Sequence, residues 1–235
     1  MIGRVTGGVL ACVLCAMPAL AQPADPLAPR EPQRVIVTGK LAPPPSPDVF
    51  GTVALDAGVT VYGARWRRVS AADARDPRLA RMMGPAAGLD PLAKLDFVQR
   101  EIKRRIKWRR DLDGYRVSDY WAQAGETLDR GYGDAEDIAV LKMQALKAAG
   151  FNSRDFYLSV GRDRERGADT LLLVRVDGTF YALDDRSDHV LTPAEHARFV
   201  PVITLGKGTA WLHGKRYAGK GRASRVVAAS SARAR

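Results

Sequence analysis

A chain of 235 residues, with 46% hydrophobic and 27% charged residues, is long enough for one compact domain with a real core. Its formal net charge of +11 favours acidic partners or anionic surfaces. The two cysteines, Cys12 and Cys15, lie in an N-terminal segment that we expect to be removed. The mature chain would therefore have no disulfide, no thiolate metal ligand and no sulfur nucleophile.

The first 21 residues have the form of a secretory signal peptide. Arg4 precedes an apolar run from Val9 to Leu20, and small residues lie around Ala21. We predict cleavage after Ala21 and a periplasmic or secreted protein that does not bind nucleic acid. An uncleaved anchor and a lipoprotein at Cys12 are the alternatives, but the apolar run is short for a bilayer span.

The composition then divides the chain into three parts. Residues 22–52 are rich in Pro and Ala, which predicts an extended linker with one possible strand at 35–38. Residues 53–206 carry the pattern of a folded domain. The tail, 207–235, has eight Lys or Arg and no Asp or Glu, which predicts a basic flexible segment.

The first long helix is predicted from Asp90 to Arg110. Asp90 can cap free N–H groups and Pro91 fits the first turn. Apolar residues recur at helical spacing, and the other faces carry Lys and Arg: the apolar positions are Leu95, Val98, Ile102 and Ile106. Such a basic amphipathic helix either covers a core or contacts an anionic surface.

The second helix is predicted over 134–149, and apolar residues surround most of it, so we expect it to be buried. Three strands follow at 155–160, 171–176 and 179–183, and Asp177-Gly178 predicts a tight hairpin between the last two. The fold class is therefore α+β, with a buried central helix packed on an antiparallel sheet.

The remaining elements are predicted to be short. Thr192 and Glu195 have the spacing of a capping box, which predicts one short helix. Residues 202–205 and 210–212 are expected to add edge strands to the sheet.

One motif carries the functional information, because a Gly-rich turn runs directly into the acidic start of the second helix. The sequence resembles the bacterial transglutaminase-like cysteine proteinases, in which a Cys lies between Gly-Asp and Glu-Asp. The matching residues are Asp119-Tyr120-Trp121, Glu126, Leu128, Gly131, Gly133-Asp134, Glu136-Asp137 and Lys142.

The resemblance implies a papain-like or transglutaminase-like fold, with a nucleophile at a helix N-terminus and a His and an acid on neighbouring strands. The best-known members are periplasmic proteases that release biofilm adhesins from the outer membrane. Their calcium is held by acidic residues beside the nucleophile, which implies a calcium site at Asp134, Glu136 and Asp137.

The chain departs from this pattern at the catalytic positions. Ala135 stands at the position of the nucleophile, and its methyl group can neither ionise nor attack a carbonyl. The position of the His corresponds to Thr170, or to Asp169 if the alignment shifts by one residue. The acid is matched by Asp184.

The imidazoles of the chain lie elsewhere in the sequence. They belong to His189, His196 and His213, which follow the matched positions, and we predict surface or capping roles for them.

Three functions remain open. The first is a catalytically inactive pseudoenzyme that binds a peptide or protein partner, or calcium, through the former active-site cleft. The second is a hydrolase or transferase that uses the acidic cluster, with or without a metal, in place of the thiol. The third is a basic protein held to an anionic envelope surface by its first long helix and its tail.

Overall fold

A computed structural model describes residues 44–72, 75–217 and 225–228 of the chain. The signal peptide predicted at 1–21, with Cys12 and Cys15, and the strand predicted at 35–38 lie outside these residues. In the part of the chain that is described, no helix is both long enough and apolar enough to cross a bilayer.

The fold is α+β, as predicted. Its helices are α1 (Gly63–Ala71), α2 (Pro77–Met83), α3 (Pro91–Arg105), α4 (Asp111–Gly114), α5 (Ala124–Arg130) and α6 (Ala135–Ala148). Its strands are β1 (Val53–Asp56), β2 (Lys107–Trp108), β3 (Tyr132–Gly133), β4 (Phe156–Asp163), β5 (Gly167–Val176), β6 (Thr179–Leu183), β7 (Phe199–Gly206), β8 (Thr209–Tyr217) and β9 (Arg225–Ala228).

The main sheet has the strand order β1-β8-β7-β4-β5-β6, with β9 paired to β8, and every pairing in it is antiparallel. The predicted hairpin joins β5 to β6. Asp177 and Gly178 both have positive φ, at 48° and 84°, as a two-residue turn of this kind requires.

Helix α6 is the buried centre of the domain, as the sequence predicts. Val140, Leu141 and Leu146 are completely buried, and they share a core with Leu172 and Val174 of β5. Burial of each such side chain contributes roughly 1.5–3 kcal/mol. This core fixes the position of the α6 N-terminus relative to the adjoining strands.

The opposite face of the sheet is also covered, which changes the N-terminal domain boundary. Val49 is buried there with Phe199 and Trp211. The Tyr157 hydroxyl donates to the Pro45 carbonyl at 3.0 Å. The prediction of an extended linker outside the core up to residue 52 is therefore wrong for 44–52, because Val49 and Phe50 pack in this second core.

The C-terminal boundary also moves. Residues 209–217 form β8, which pairs with β1 and β7, so the prediction of a flexible tail from 207 is wrong for this strand. Strand β7 lies between β4 and β8, and it is therefore an interior strand where an edge strand was predicted. Residues 192–195 form a turn in which the Glu195 carboxylate accepts from the Thr192 N–H, so no short helix forms.

Helix α3 begins as predicted and ends earlier. The Asp90 carboxylate accepts a hydrogen bond from the Ala93 N–H at 3.0 Å. After Arg105 the chain becomes extended, and β2 pairs in parallel with β3 immediately before α6. The Arg109 N–H donates to the Gly133 carbonyl at 2.9 Å. This pairing brings the segment that follows α3 beside the start of α6.

Candidate functional site

An open cavity of about 1050 Å³ lies between the start of α6 and one end of the main sheet. Its helix side includes Trp108, Asp111, Asp134, Ala135 and Glu136, and its sheet side includes Val160, Ala168, Asp169, Thr170, Asp185 and Arg186. The described residues that line it include neither His nor Cys. The cavity therefore contains the predicted nucleophile position without a thiol or an imidazole among the described residues that line it.

Ala135 is the first residue of α6, and its position is set by the helix cap. The Asp134 carboxylate accepts a hydrogen bond from the Asp137 N–H at 3.4 Å, which satisfies one free donor of the first turn. Ala135 is 8% exposed and lines the cavity. The side chain at the position predicted for the nucleophile is thus a methyl group on the cavity wall.

Gly133 is required by the packing of this turn. A Cβ at this position would lie 2.6 Å from the Asp137 Cβ, well inside van der Waals contact. The absence of a side chain lets β3 pass close to the first turn of α6. The Gly-Asp part of the motif therefore has a steric role at Gly133 and a capping role at Asp134.

The acidic cluster is larger than the sequence predicts. Asp111 and Asp119 join the three predicted carboxylates, and two overlapping sets have ligand oxygens within 4.8 Å of one another. These sets are Asp111 with Asp119 and Glu136, and Asp111 with Asp134 and Asp137. We refer to all five residues as the acidic cluster.

Three carboxylates of the acidic cluster are held by neighbouring groups. The Asp137 Oδ1 atom accepts from the Ala122 N–H at 2.6 Å. The Asp111 Oδ2 atom accepts from the Tyr120 N–H. Arg65 donates to the Asp119 Oδ2 atom at 2.7 Å. The backbone at Tyr120 and Ala122 and the side chain of Arg65 thus orient these carboxylates.

The second oxygen of each of these three carboxylates is not engaged in a hydrogen bond of this kind. Asp111 Oδ1, Asp119 Oδ1 and Asp137 Oδ2 are buried and have no hydrogen-bond partner among the described residues. Buried acceptors in this condition are costly, because they lose water and gain nothing in return. Three such atoms in one cluster fit either a bound cation or protons on the carboxylates.

The pKa values of the cluster carboxyls agree with a site that takes up positive charge. Burial, together with the neighbouring carboxylates Glu136, Asp137 and Asp111, raises the pKa of Asp134 to about 9. Burial is also the main cause that raises the pKa values of Glu136 and Asp137 to about 7. Asp134, Glu136 and Asp137 therefore favour a bound proton or a cation over three free negative charges.

The donor set fits calcium. Calcium takes six to eight oxygen ligands in flexible geometry, whereas soft metals prefer sulfur and imidazole. Asp111, Asp119, Asp134, Glu136 and Asp137 supply only carboxylate oxygens. Asp111 and Asp119 were not among the predicted ligands. Asp119 belongs to the family motif, so its position in the sequence could have drawn attention to it.

The sheet side of the cavity presents an ion-pair network in place of an imidazole. Arg186 Nη2 lies 2.5 Å from Asp169 Oδ1, and Arg186 Nε lies 3.1 Å from Asp185 Oδ1. Thr170 lines the cavity beside them. The two candidate positions for the family's His therefore carry a carboxylate that pairs with Arg186 and a hydroxyl.

The structure places Asp185 in the cavity lining, and Asp184, the predicted acid, is not part of that lining. The Asp184 Oδ2 atom lies 2.9 Å from His196 Nε2. This hydrogen bond holds the pKa of Asp184 well below its usual range, although burial opposes the shift. Asp184 is thus committed to His196, and its neighbour Asp185 faces the site.

The predicted surface or capping roles are wrong for two of the three histidines. His196 is buried against Asp184, whose hydrogen bond raises the pKa of the imidazole. His213 is buried between the hydroxyls of Thr52 and Thr204, at 2.6 and 2.8 Å. His189 is exposed. The side-chain partners of His196 and His213 come from other segments of the chain, so the sequence alone gave no sign of their burial.

A buried lysine supports the loop that carries Asp184 to Arg186. Lys142 Nζ donates to Gln99 Oε1 at 2.8 Å and to the Asp184 carbonyl at 2.9 Å. Gln99 Nε2 also donates to the Asp184 carbonyl and to that of Ser187. Burial lowers the pKa of Lys142 to about 8. Helices α3 and α6 thereby fix the sheet side of the cavity.

A capped central helix whose first residue lines a cleft, facing the end of an antiparallel sheet, defines a papain-like or transglutaminase-like domain. The model of the family "bacterial transglutaminase-like cysteine proteinase" matches residues 73–212. The match spans more than half of the chain, and the protein belongs to this family.

Two solved structures are similar to this chain over about two thirds of its length. Calcium-bound LapG of Legionella pneumophila is 19% identical, with a TM-score of 0.49, over 63% of this chain and 86% of that one. EGTA-treated LapG is 18% identical, with the same TM-score, over 66% of this chain and 87% of that one. No curated protein gives a significant match.

Proposed function

We propose that this protein is an exported, catalytically inactive member of its family that binds a peptide or an extended protein segment in the cleft. The observation that carries the proposal is the position of Ala135 on the wall of an open cavity of about 1050 Å³. The cleft is large enough for several residues of a ligand. The first residue of α6 contributes no nucleophile to it.

The sheet side of the cleft supports the same proposal. General-base activation of a nucleophile ordinarily uses an imidazole within hydrogen-bond reach. His189 follows the cavity loop closely in sequence but is exposed and does not line the cavity, and His196 is paired with Asp184 outside the cavity lining. Export is supported by the N-terminal sequence, with its apolar run before Ala21.

Calcium binding at the acidic cluster is the second part of the proposal. Asp111, Asp119, Asp134, Glu136 and Asp137 would hold the ion. Bound calcium would neutralise the buried carboxylates and fix the start of α6, which forms one wall of the cleft. The role is structural, because the ion would shape the binding site and no reaction step passes through it.

The test is to incubate the mature protein, in calcium-containing buffer, with a complex mixture of peptides and to analyse both retained and released peptides by mass spectrometry. We expect retained peptides and no new peptide termini. New termini that disappear in Asp134→Asn or Asp185→Asn would contradict the proposal and favour hydrolysis by the acidic groups. Retention on anionic vesicles, with no retained peptide, would favour the basic envelope-binding function.

A further inference from the structure

We propose that Arg186 is the group by which the cleft binds a carboxylate of its ligand, either the free C-terminus of a peptide or an acidic side chain. This inference rests on the proposed peptide-binding function and names the chemistry that the ligand must carry. It assigns to the sheet side of the cleft a binding role in the region where the family has its catalytic His and acid.

Arg186 is held in one orientation by buried partners. The side chains of Asp169 and Asp185 are only 1% and 2% exposed, whereas that of Arg186 is 26% exposed. The carboxylates thus lie beneath the guanidinium and fix it from the protein side. A cation oriented in this way loses little conformational entropy when it binds a ligand.

Part of the Arg186 guanidinium is not bonded to the described part of the protein and can bind a ligand. Among the described residues, its acceptors are reached through Nε and Nη2. Nη1 remains for an acceptor in the cavity, which Arg186 lines. The Nη1 N–H groups favour a carboxylate over a neutral carbonyl oxygen, because hydrogen bonds between two charged groups are the stronger ones.

Asp169 and Asp185 share the Arg186 guanidinium, and neighbouring cations offset part of the other negative charge of the loop. Lys103 donates to the Arg186 carbonyl at 2.7 Å and pairs with Asp188 at 2.8 Å. The Asp184 carboxylate is paired with His196. Arg166 also lines the cavity and is exposed. A ligand carboxylate would therefore meet two arginines on this side of the cleft.

The acidic cluster on the opposite wall of the cleft affects the affinity for a carboxylate. The acidic cluster repels an anion unless its charge is neutralised, so carboxylate binding should be stronger with calcium than without it. The ligand chemistry that suits the complete cleft is a main chain that spans it and a carboxylate directed at Arg186.

The experiment compares two probes that carry no side chains, N-acetyl-triglycine and N-acetyl-triglycinamide, by NMR titration of the full mature chain in millimolar calcium. We expect the acid to bind at least tenfold more tightly than the amide to the wild-type protein. This preference should disappear in Arg186→Gln and persist in Arg162→Gln, a matched change of an exposed arginine on β4 that does not line the cavity.

The double variant Asp169→Asn/Arg186→Gln removes the cation together with one buried partner, so the result does not depend on the stability of the single variant. We expect it to lose the preference as well, and Arg186→Lys to keep part of it. Equal binding of acid and amide to the wild type would overturn the role of Arg186 and leave peptide binding intact. Binding of neither probe would count against both proposals.

Discussion

The Asp134 carboxylate accepts a hydrogen bond from the Asp137 N–H across the first turn of α6, and the Ala135 methyl group lies between these two residues on the cavity wall. The helix start therefore keeps its cap and its acidic neighbours. Ala135, the position predicted for the nucleophile, has a side chain that can neither ionise nor attack a carbonyl. The predictions below test the cation site, the packing of this turn, and the buried histidines.

Calcium should stabilise the protein through the acidic cluster. At a concentration one hundred times Kd, a ligand of the folded state alone adds about 2.7 kcal/mol, which raises Tm by several degrees in a domain of this size. Asp111→Asn and Asp134→Asn should abolish this calcium-dependent increase in scanning calorimetry. Asp113→Asn is the control, because Asp113 is exposed and pairs with Arg110. An unchanged increase in Asp111→Asn would contradict the assigned site.

Gly133→Ala should destabilise the start of α6. The new methyl group must displace the Asp137 Cβ, from which it would lie only 2.6 Å, and such overpacking costs about 1–3 kcal/mol. Urea unfolding measures the loss, and calcium affinity should fall because Asp137 moves. Gly88→Ala is the matched control, since nothing lies within 4 Å of a Cβ there. Equal effects of the two substitutions would refute the packing account.

The Asp184–His196 pair should contribute stability mainly between about pH 4 and pH 6.5, the ordinary pKa values of the two groups. The pKa of Asp184 is lowered, so its contribution is lost as pH falls below its unfolded value through the folded one. The pKa of His196 is raised, so its contribution is complete below the unfolded value and is lost as pH rises through the folded one.

A double-mutant cycle with Asp184→Asn and His196→Gln measures this coupling, and either single change should cost about 3 kcal/mol near pH 5.5 because it leaves a buried partner unpaired. The coupling energy should decline at alkaline pH. A coupling that stays constant from pH 5 to pH 9 would show that the pair is not ionic.

His213 should make the protein less stable in mild acid. Burial lowers its pKa to about 4, so the unfolded chain binds this proton more readily between pH 4 and pH 6.5. The contribution of neutral His213 to the free energy of unfolding is therefore complete above pH 6.5. It is lost as the pH falls towards 4, and the loss reaches roughly 3 kcal/mol. In urea unfolding, His213→Gln should flatten this dependence. His189→Gln, at an exposed position, should leave it unchanged.

The parts of the fold that the sequence predicts well are those with strong local signals. Helix α6 has a cap, an apolar surface and a stop signal, and Asp177-Gly178 supplies the two positive φ values of the hairpin. The short helices α1, α2, α4 and α5 were not predicted. They contain few turns, and packing against α6 and its neighbours stabilises them more than their own periodicity does.

Only part of the candidate site was predicted, because only some of its residues form a local sequence pattern. Asp134, Glu136 and Asp137 are adjacent in sequence, whereas Asp111 reaches them through the β2–β3 pairing, which leaves no local pattern. The cavity contains Asp185 and not Asp184 because the two side chains project differently where β6 ends. A shift of one residue changes the face of a strand, and sequence spacing does not determine that shift.

The most direct test of the account is peptide retention by Ala135→Trp, with Ala135→Leu as a smaller replacement and Ala87→Trp as an exposed control. Both changes at Ala135 fill the cavity beside the α6 N-terminus. We predict that the wild-type protein retains peptides without cleaving them, that both variants lose retention at unchanged Tm, and that the control behaves as the wild type. Cleavage by the wild-type protein, or full retention by Ala135→Trp, would contradict the account.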